Sequence, residues 1–235
     1  MATTTTGRLE PDAVTRLFDP DTHTYWANDR VMPSVTQVLT EQRFIDFSNV
    51  PPDVMATARD RGSYVHAALH ASLEDDFDVD DCDPRFRGYL DSGLAFVAEA
   101  GLAPVKDPTG RIISVEYRFF HLVRWFAGTV DYIGIDRDGI LTIADWKTGH
   151  PTDVAAALQT AAYEFGIRQC LAPVIGYSGQ IRRMAVKLFR DGTPAKPEPY
   201  SDPRDLSVFL SALACVHYKR NGMAHGNGGY ANAYR

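Results

Sequence analysis

Apolar positions change their period along this chain, and the changes outline a fold. Between residues 111 and 147 they alternate or run together in short stretches bounded by turn residues. That pattern predicts three strands, near 111 to 120, 124 to 136 and 139 to 147. Asp138-Gly139 separates the last two and reads as a hairpin turn. Helical spacing predicts helices over 52 to 73 and 84 to 100 on one side. On the other, Val154, Ala157, Leu158, Ala161, Ala162 and Phe165 place a helix over 152 to 169, with Thr152 as its N-cap after the break at Gly149 and Pro151. A strand near 180 to 190 follows. A last helix near 203 to 220 carries Leu206, Phe209, Leu210, Leu213 and Val216. Short strands near 16 to 32 and a helix starting at Pro33 complete the order. Helices before and after a central sheet define an α/β layered class.

Charged residues interrupt the apolar strands, and their spacing matters. Asp131 sits on one run; Asp145 and Lys147 sit on the next, two apart and therefore on one face. Closing the hairpin brings Asp131 beside Asp145, so two carboxylates and a lysine converge. Such carboxylates repel unless a hard divalent cation lies between them. An Asp-x-Lys pair is often only a solvated strand end, but Ile140, Leu141, Ile143, Ala144 and Trp146 make this a half-buried or buried strand. Glu116 on the preceding strand reads either as a site acid or as an exposed partner of Arg118. Gln159 and Tyr163, four apart, share a helix face; alone they read as a half-buried helix edge. Gly62 and His66 share the same spacing upstream. Glycine inside a helix costs about 1 kcal/mol against alanine and suggests close backbone approach. A histidine among Val65, Ala67 and Leu69 is more often a core residue than a ligand.

Taken in order, Arg61-Gly62-x-x-x-His66, Glu116, Gly128-x-Val130-Asp131, Asp145-Trp146-Lys147-Thr148-Gly149 and Gln159-x-x-x-Tyr163 resemble the RecB-type branch of the PD-(D/E)XK nuclease superfamily. His23-x-Tyr25 and Pro33-Ser34-Val35-Thr36 are similar to the N-terminal part of phage RecB-like exonucleases. With Asp191-Gly192-Thr193-Pro194-Ala195, the Pro-Ser-Val-Thr piece also resembles the mitochondrial genome maintenance exonuclease family. The resemblance implies a central mixed β-sheet flanked by helices, the restriction-endonuclease-like core, with an N-terminal helical portion. It implies metal ligation by His66, Asp131, Asp145 and the Trp146 carbonyl, and catalysis by Lys147 with Asp145, Asp131 and Glu116. Gln159, Tyr163, Arg61, Ser34 and Tyr64 are the implied DNA contacts. The implied cofactor is Mg²⁺ or Mn²⁺, with the imidazole favouring Mn²⁺. The implied activity is a deoxyribonuclease that degrades DNA from single-stranded ends in phage-type replication, recombination or repair, with a single-strand annealing or recombinase protein as partner. The alternatives are a structure-specific endonuclease, a double-strand-resecting exonuclease, or a DNA-binding accessory that does not cut.

Composition adjusts this picture in three places. Cys82, Cys170 and Cys215 are too few and too scattered for the four-thiolate iron–sulfur cluster of some relatives, and they form no disulfide framework, as expected of a cytoplasmic protein. A net charge of −6 disfavours nucleic-acid binding until residues 74 to 83 are set aside: seven acids and no base lie there, in an expected solvated loop. Arg59, Arg61, Arg124, Arg182, Arg183, Lys187 and Arg190 remain to follow phosphates, and Tyr64, Trp125 and Tyr163 to stack on bases. At 235 residues and 45% hydrophobic, the chain reads as one nuclease domain over 16–221, between a flexible N-terminus at 1–15 and a flexible Gly/Asn-rich tail at 222–235. No apolar run reaches membrane-spanning length, and the N-terminal residues lack a signal-peptide core.

Overall fold

The computed structural model describes residues 14–149 and 153–225. A three-stranded meander opens the chain, with β1 (Arg16–Asp19), β2 (Thr24–Ala27) and β3 (Arg30–Met32) all antiparallel. Helix α1 (Val35–Glu41) begins two residues after Pro33. Ser34 caps it: its Oγ accepts from the Gln37 amide, and the Gln37 side chain accepts from the Ser34 amide. Ser-x-x-Gln is a capping box, which is why the helix starts there and not at the proline.

Helices α2 (Pro52–Leu73) and α3 (Arg87–Ala100) follow, separated by the acidic segment and one 3₁₀ turn at Val79–Asp81. Then come β4 (Ala103–Pro104), β5 (Val115–His121), β6 (Phe126–Ile135), β7 (Leu141–Lys147), α4 (Asp153–Cys170), β8 (Ile181–Lys187), β9 (Lys196–Tyr200) and α5 (Arg204–His225). The order β4-β6-β7-β8-β9, with β5 also on β6, makes a mixed sheet: β7 and β8 run parallel, joined through α4, and the other pairs run antiparallel. Two elements were not legible. β4 has two residues, and β9 reads Lys-Pro-Glu-Pro-Tyr, whose prolines are tolerated because β9 is an edge strand. Helix α5 runs five residues past its expected end, into the stretch read as a tail. Thr152, the expected cap of α4, lies outside the described residues, as do 1–13 and 226–235.

One face of the sheet packs on α1, α4 and α5, through Phe119, Phe126, Val130, Leu141 and Ile143 against Val38, Leu158, Ile167, Phe209 and Leu213. The other packs on α2 and α3, through Tyr132, Ala144, Trp146 and Val186 against Val65, Leu69, Leu90 and Phe96. Phe119 locks the first core by close approach. A Cβ would lie 2.9 Å from its ring at Gly128 on β6 and 2.4 Å from it at Gly166 on α4, so both positions need glycine. Among the described residues no helix is long and apolar enough to cross a membrane.

Candidate active site

The β6–β7 turn sets the register. Asp136 N–H donates to the Ile140 carbonyl at 3.0 Å, the Asp136 carboxylate accepts from the amides of Asp138 and Ile140, and Gly139 takes φ +76°. A three-residue loop with glycine in the left-handed region is a common hairpin closure. Pairing from Ile135↔Leu141 to Tyr132↔Ala144 then points Asp131 at Asp145. On the other side, Val115↔Tyr132 and Tyr117↔Val130 bracket Glu116 opposite Asp131. Three carboxylates thus stand in one row across three consecutive strands.

The sheet breaks at this row. Residues two apart on a strand share a face. Yet Val115 and Tyr132 belong to the α2–α3 core, while Val130 belongs to the α4 core and Tyr117 packs against it. Glu116 adopts φ +47°, a left-handed conformation uncommon for a residue with a side chain, and the alternation reverses there. The reversal opens the sheet to both helical layers. His66 arrives from α2, and Gln159 and Tyr163 arrive from α4; all three line one recess of about 510 Å³ with Glu116, Asp131, Asp145 and Lys147.

Ligand atoms of His66, Glu116 and Asp131 lie within 4.8 Å of one another. His66 Nδ1 is 3.5 Å from Asp131 Oδ1, and its Nε2 donates to the Trp146 carbonyl at 3.2 Å. Asp131 Oδ2 accepts from the Trp146 amide at 2.8 Å. Burial alone would depress the imidazole, but the Asp131 carboxylate, helped by Glu116, lifts it to about 9. Burial and then the neighbouring Asp131 charge push Glu116 up to about 7. Asp131 itself is held below the usual carboxylate range: burial opposes this, and the His66 imidazolium outweighs it. Two carboxylates and an imidazole, with excess negative charge, fit a divalent cation that accepts oxygen and nitrogen ligands.

Asp145 stands next to this group. It lies outside the His66–Glu116–Asp131 group, with its Oδ2 2.5 Å from Lys147 Nζ. Lys147, two residues on and on the same face, supplies the nearest positive charge to a side chain only 1% exposed. Burial raises Asp145 to about 6, although the ammonium pulls the other way. Lys147 in turn is held protonated above its ordinary value: burial disfavours the charge, and Asp145 and Asp131 prevail. Its Nζ also donates to Gln159 Oε1 at 3.1 Å, and Gln159 Nε2 donates to Tyr163 Oη at 2.8 Å.

Several expected roles change. Gln159 holds Lys147 and also lines the recess. Tyr163 is buried, edge-on to Phe119, so its ring cannot stack on a base. Ser34 spends its hydroxyl on the α1 cap and lies outside the recess lining. Arg183 is buried among Glu164, Asp205 and the Ala157 and Asp202 carbonyls, which makes it structural. Arg182 pairs with Asp136 and Asp138. Gly62 is not forced by packing, since a Cβ there would meet only Thr148 Oγ1 at 3.9 Å. The Trp146 indole packs on Phe96 and Tyr132, leaving its carbonyl at the site. Arg61 and Tyr64 line a different cavity. The recess also takes His23 and Thr36 from the two N-terminal motifs and Arg118, together with Ser63, His70 and Thr129, which no sequence spacing had marked.

An open mixed sheet carrying Asp131 and Asp145-x-Lys147, with acids converging in one row across three strands, is the arrangement of a metal-dependent nuclease. A profile of the PD-(D/E)XK nuclease superfamily matches residues 42–203, and the chain belongs to that superfamily. It is therefore a nuclease, acting on phosphodiester bonds with divalent metal. No curated protein matches it.

Proposed function

We propose that the protein is a Mg²⁺- or Mn²⁺-dependent DNA exonuclease that works from single-stranded ends. The observation that carries this reading is the recess. Its carboxylates lie between α2 and α4 in about 510 Å³, a size that suits about one or two nucleotides of a single strand. A cation held by His66, Glu116 and Asp131, with Asp145 and the Trp146 carbonyl beside it, would polarise the phosphate and acidify water. Lys147 sets a positive charge where negative charge develops on the reacting phosphate. Gln159 and Tyr163 keep that ammonium in place. The motif resemblance favours phage-type replication, recombination or repair in a cytoplasm, with an annealing or recombinase partner.

The test uses end-labelled linear single strands, duplexes and circular single strands in Mg²⁺, Mn²⁺ or EDTA. Linear single strands should be degraded with either metal and spared in EDTA, and circles should persist. Rapid cutting of circles would reject the exonuclease reading for an endonuclease. Equal rates for wild type and Asp145→Asn would reject the site assignment altogether.

A further inference from the structure

We infer that a second cavity, on the opposite flank of α2, is a nucleic-acid subsite that grips the strand beyond the scissile phosphate. The inference rests on the nuclease reading above and adds a place for the neighbouring nucleotides. Helix α2 presents two flanks. Gly62, Ser63, His66 and His70 face the catalytic recess; Thr57, Asp60, Arg61 and Tyr64 face the second cavity, of about 570 Å³.

Three arginines from three segments meet there: Arg61 from α2, Arg85 from the turn before α3, and Arg190 from the loop after β8. Aromatic rings lie among them. Arg61 sits 5.9 Å over Tyr89, Arg85 sits 5.1 Å over Phe86, and Tyr64 packs 4.9 Å from Phe86. Arg85 also pairs with Asp83 at 2.6 Å, and Asp60 lies on the rim. Arg61 and Arg190 have no carboxylate partner among the described residues. Cations set beside aromatic faces suit a phosphate with a stacked base, whatever the base.

The cavity is built, not incidental. Gly88 lies against the Arg190 backbone so closely that a Cβ would stand 1.9 Å from the Arg190 carbonyl oxygen. Glycine at that position lets the loop bring Arg190 over the start of α3. A path also joins the two cavities. Arg61 Nε donates to Thr148 Oγ1 at 3.3 Å, just after Lys147, and Gly62 and Gly149 leave that saddle without side chains. A strand leaving the recess past Lys147 crosses the saddle onto Arg61.

Fluorescence anisotropy with a labelled oligothymidylate of about 12 nucleotides, in EDTA, tests this without cleavage. Wild type should bind. Arg85→Ala/Arg190→Ala should bind about tenfold more weakly, with unchanged melting temperature, and its log Kd against log salt should be shallower by about 1.4, or 0.7 for each lost phosphate contact. Arg190→Ala alone, at an exposed side chain, should lose about half that slope change and covers the case in which the double variant misfolds. Unchanged affinity and slope in a folded variant would overturn the subsite while leaving the nuclease reading intact. Failure of wild type to bind single strands at all would overturn both.

Discussion

Glu116→Gln should make the metal-free protein more stable, although it removes a residue of the site. Glu116 is half-buried, stands opposite Asp131 and makes no hydrogen bond or ion pair among the described residues. Its proton is held from an ordinary 4.5 up to about 7. A raised folded pKa means that stability falls as pH rises through this window, because the unfolded chain ionises first. Above pH 7 the two and a half units correspond to about 3 kcal/mol, and below pH 4.5 to none. Water at the mouth of the recess screens part of this, leaving about 1–2 kcal/mol, or about 2–8 °C for a chain of this size. The glutamine keeps the shape and the same backbone, so strain at φ +47° cancels. Melting curves in EDTA at pH 5 and pH 8 measure it. The variant should gain at pH 8 and keep only about a quarter of that gain at pH 5. Adding Mn²⁺ should stabilise wild type by RT ln(1 + [Mn²⁺]/Kd) and the variant far less. A variant equally destabilised at both pH values would refute the idea that charge repulsion, and not packing, defines this position.

Other outcomes follow from the same geometry. Lys147→Ala should slow single-turnover cleavage by about 10²-fold or more with DNA affinity retained, and Gln159→Leu should slow the same step less, about tenfold, because it acts by holding Lys147. Equal effects on affinity alone would contradict that chain of contacts. The thermal shift caused by Mn²⁺ should grow as pH rises from about 7 to about 9, since Glu116 and His66 must shed protons to bind it; a shift independent of pH would exclude His66 as a ligand. His66→Ala should flatten that pH dependence. Gly166→Ala, whose Cβ would stand 2.4 Å from the Phe119 ring, should cost about 1–3 kcal/mol in denaturant unfolding.

The carboxylate row was legible because hairpin register is local: Asp138-Gly139 fixes the turn, and strand period does the rest. His66 was legible as a ligand only through the motif resemblance, because nothing local distinguishes a core histidine from one facing Asp131 across the fold. Glu116 stayed ambiguous for a related reason. Its left-handed backbone, which turns the side chain into the site, has no signature in Val-Glu-Tyr-Arg. Tyr163 and Arg183 carry groups suited to DNA that tertiary packing also engages: the tyrosine hydroxyl accepts from Gln159, and the guanidinium ties α4 to α5. The cavity behind α2 draws on three distant segments, so its arginines could be counted in the sequence but not brought together.

The row of acids also bears on the order in which the molecule assembles. Glu116, Asp131 and Asp145 belong to one meander closed by two short turns, so their contacts span little chain, and hairpins of this kind form in about 1–10 μs. The parallel β7–β8 pairing must wait for α4 to cross over, and α2 must dock from a distant stretch of chain. The negative charges therefore meet before the imidazole that answers them is in place. In the nascent meander only Lys147, on the same strand as Asp145, offsets that repulsion, so a divalent cation present during refolding should favour the meander itself as well as the finished site.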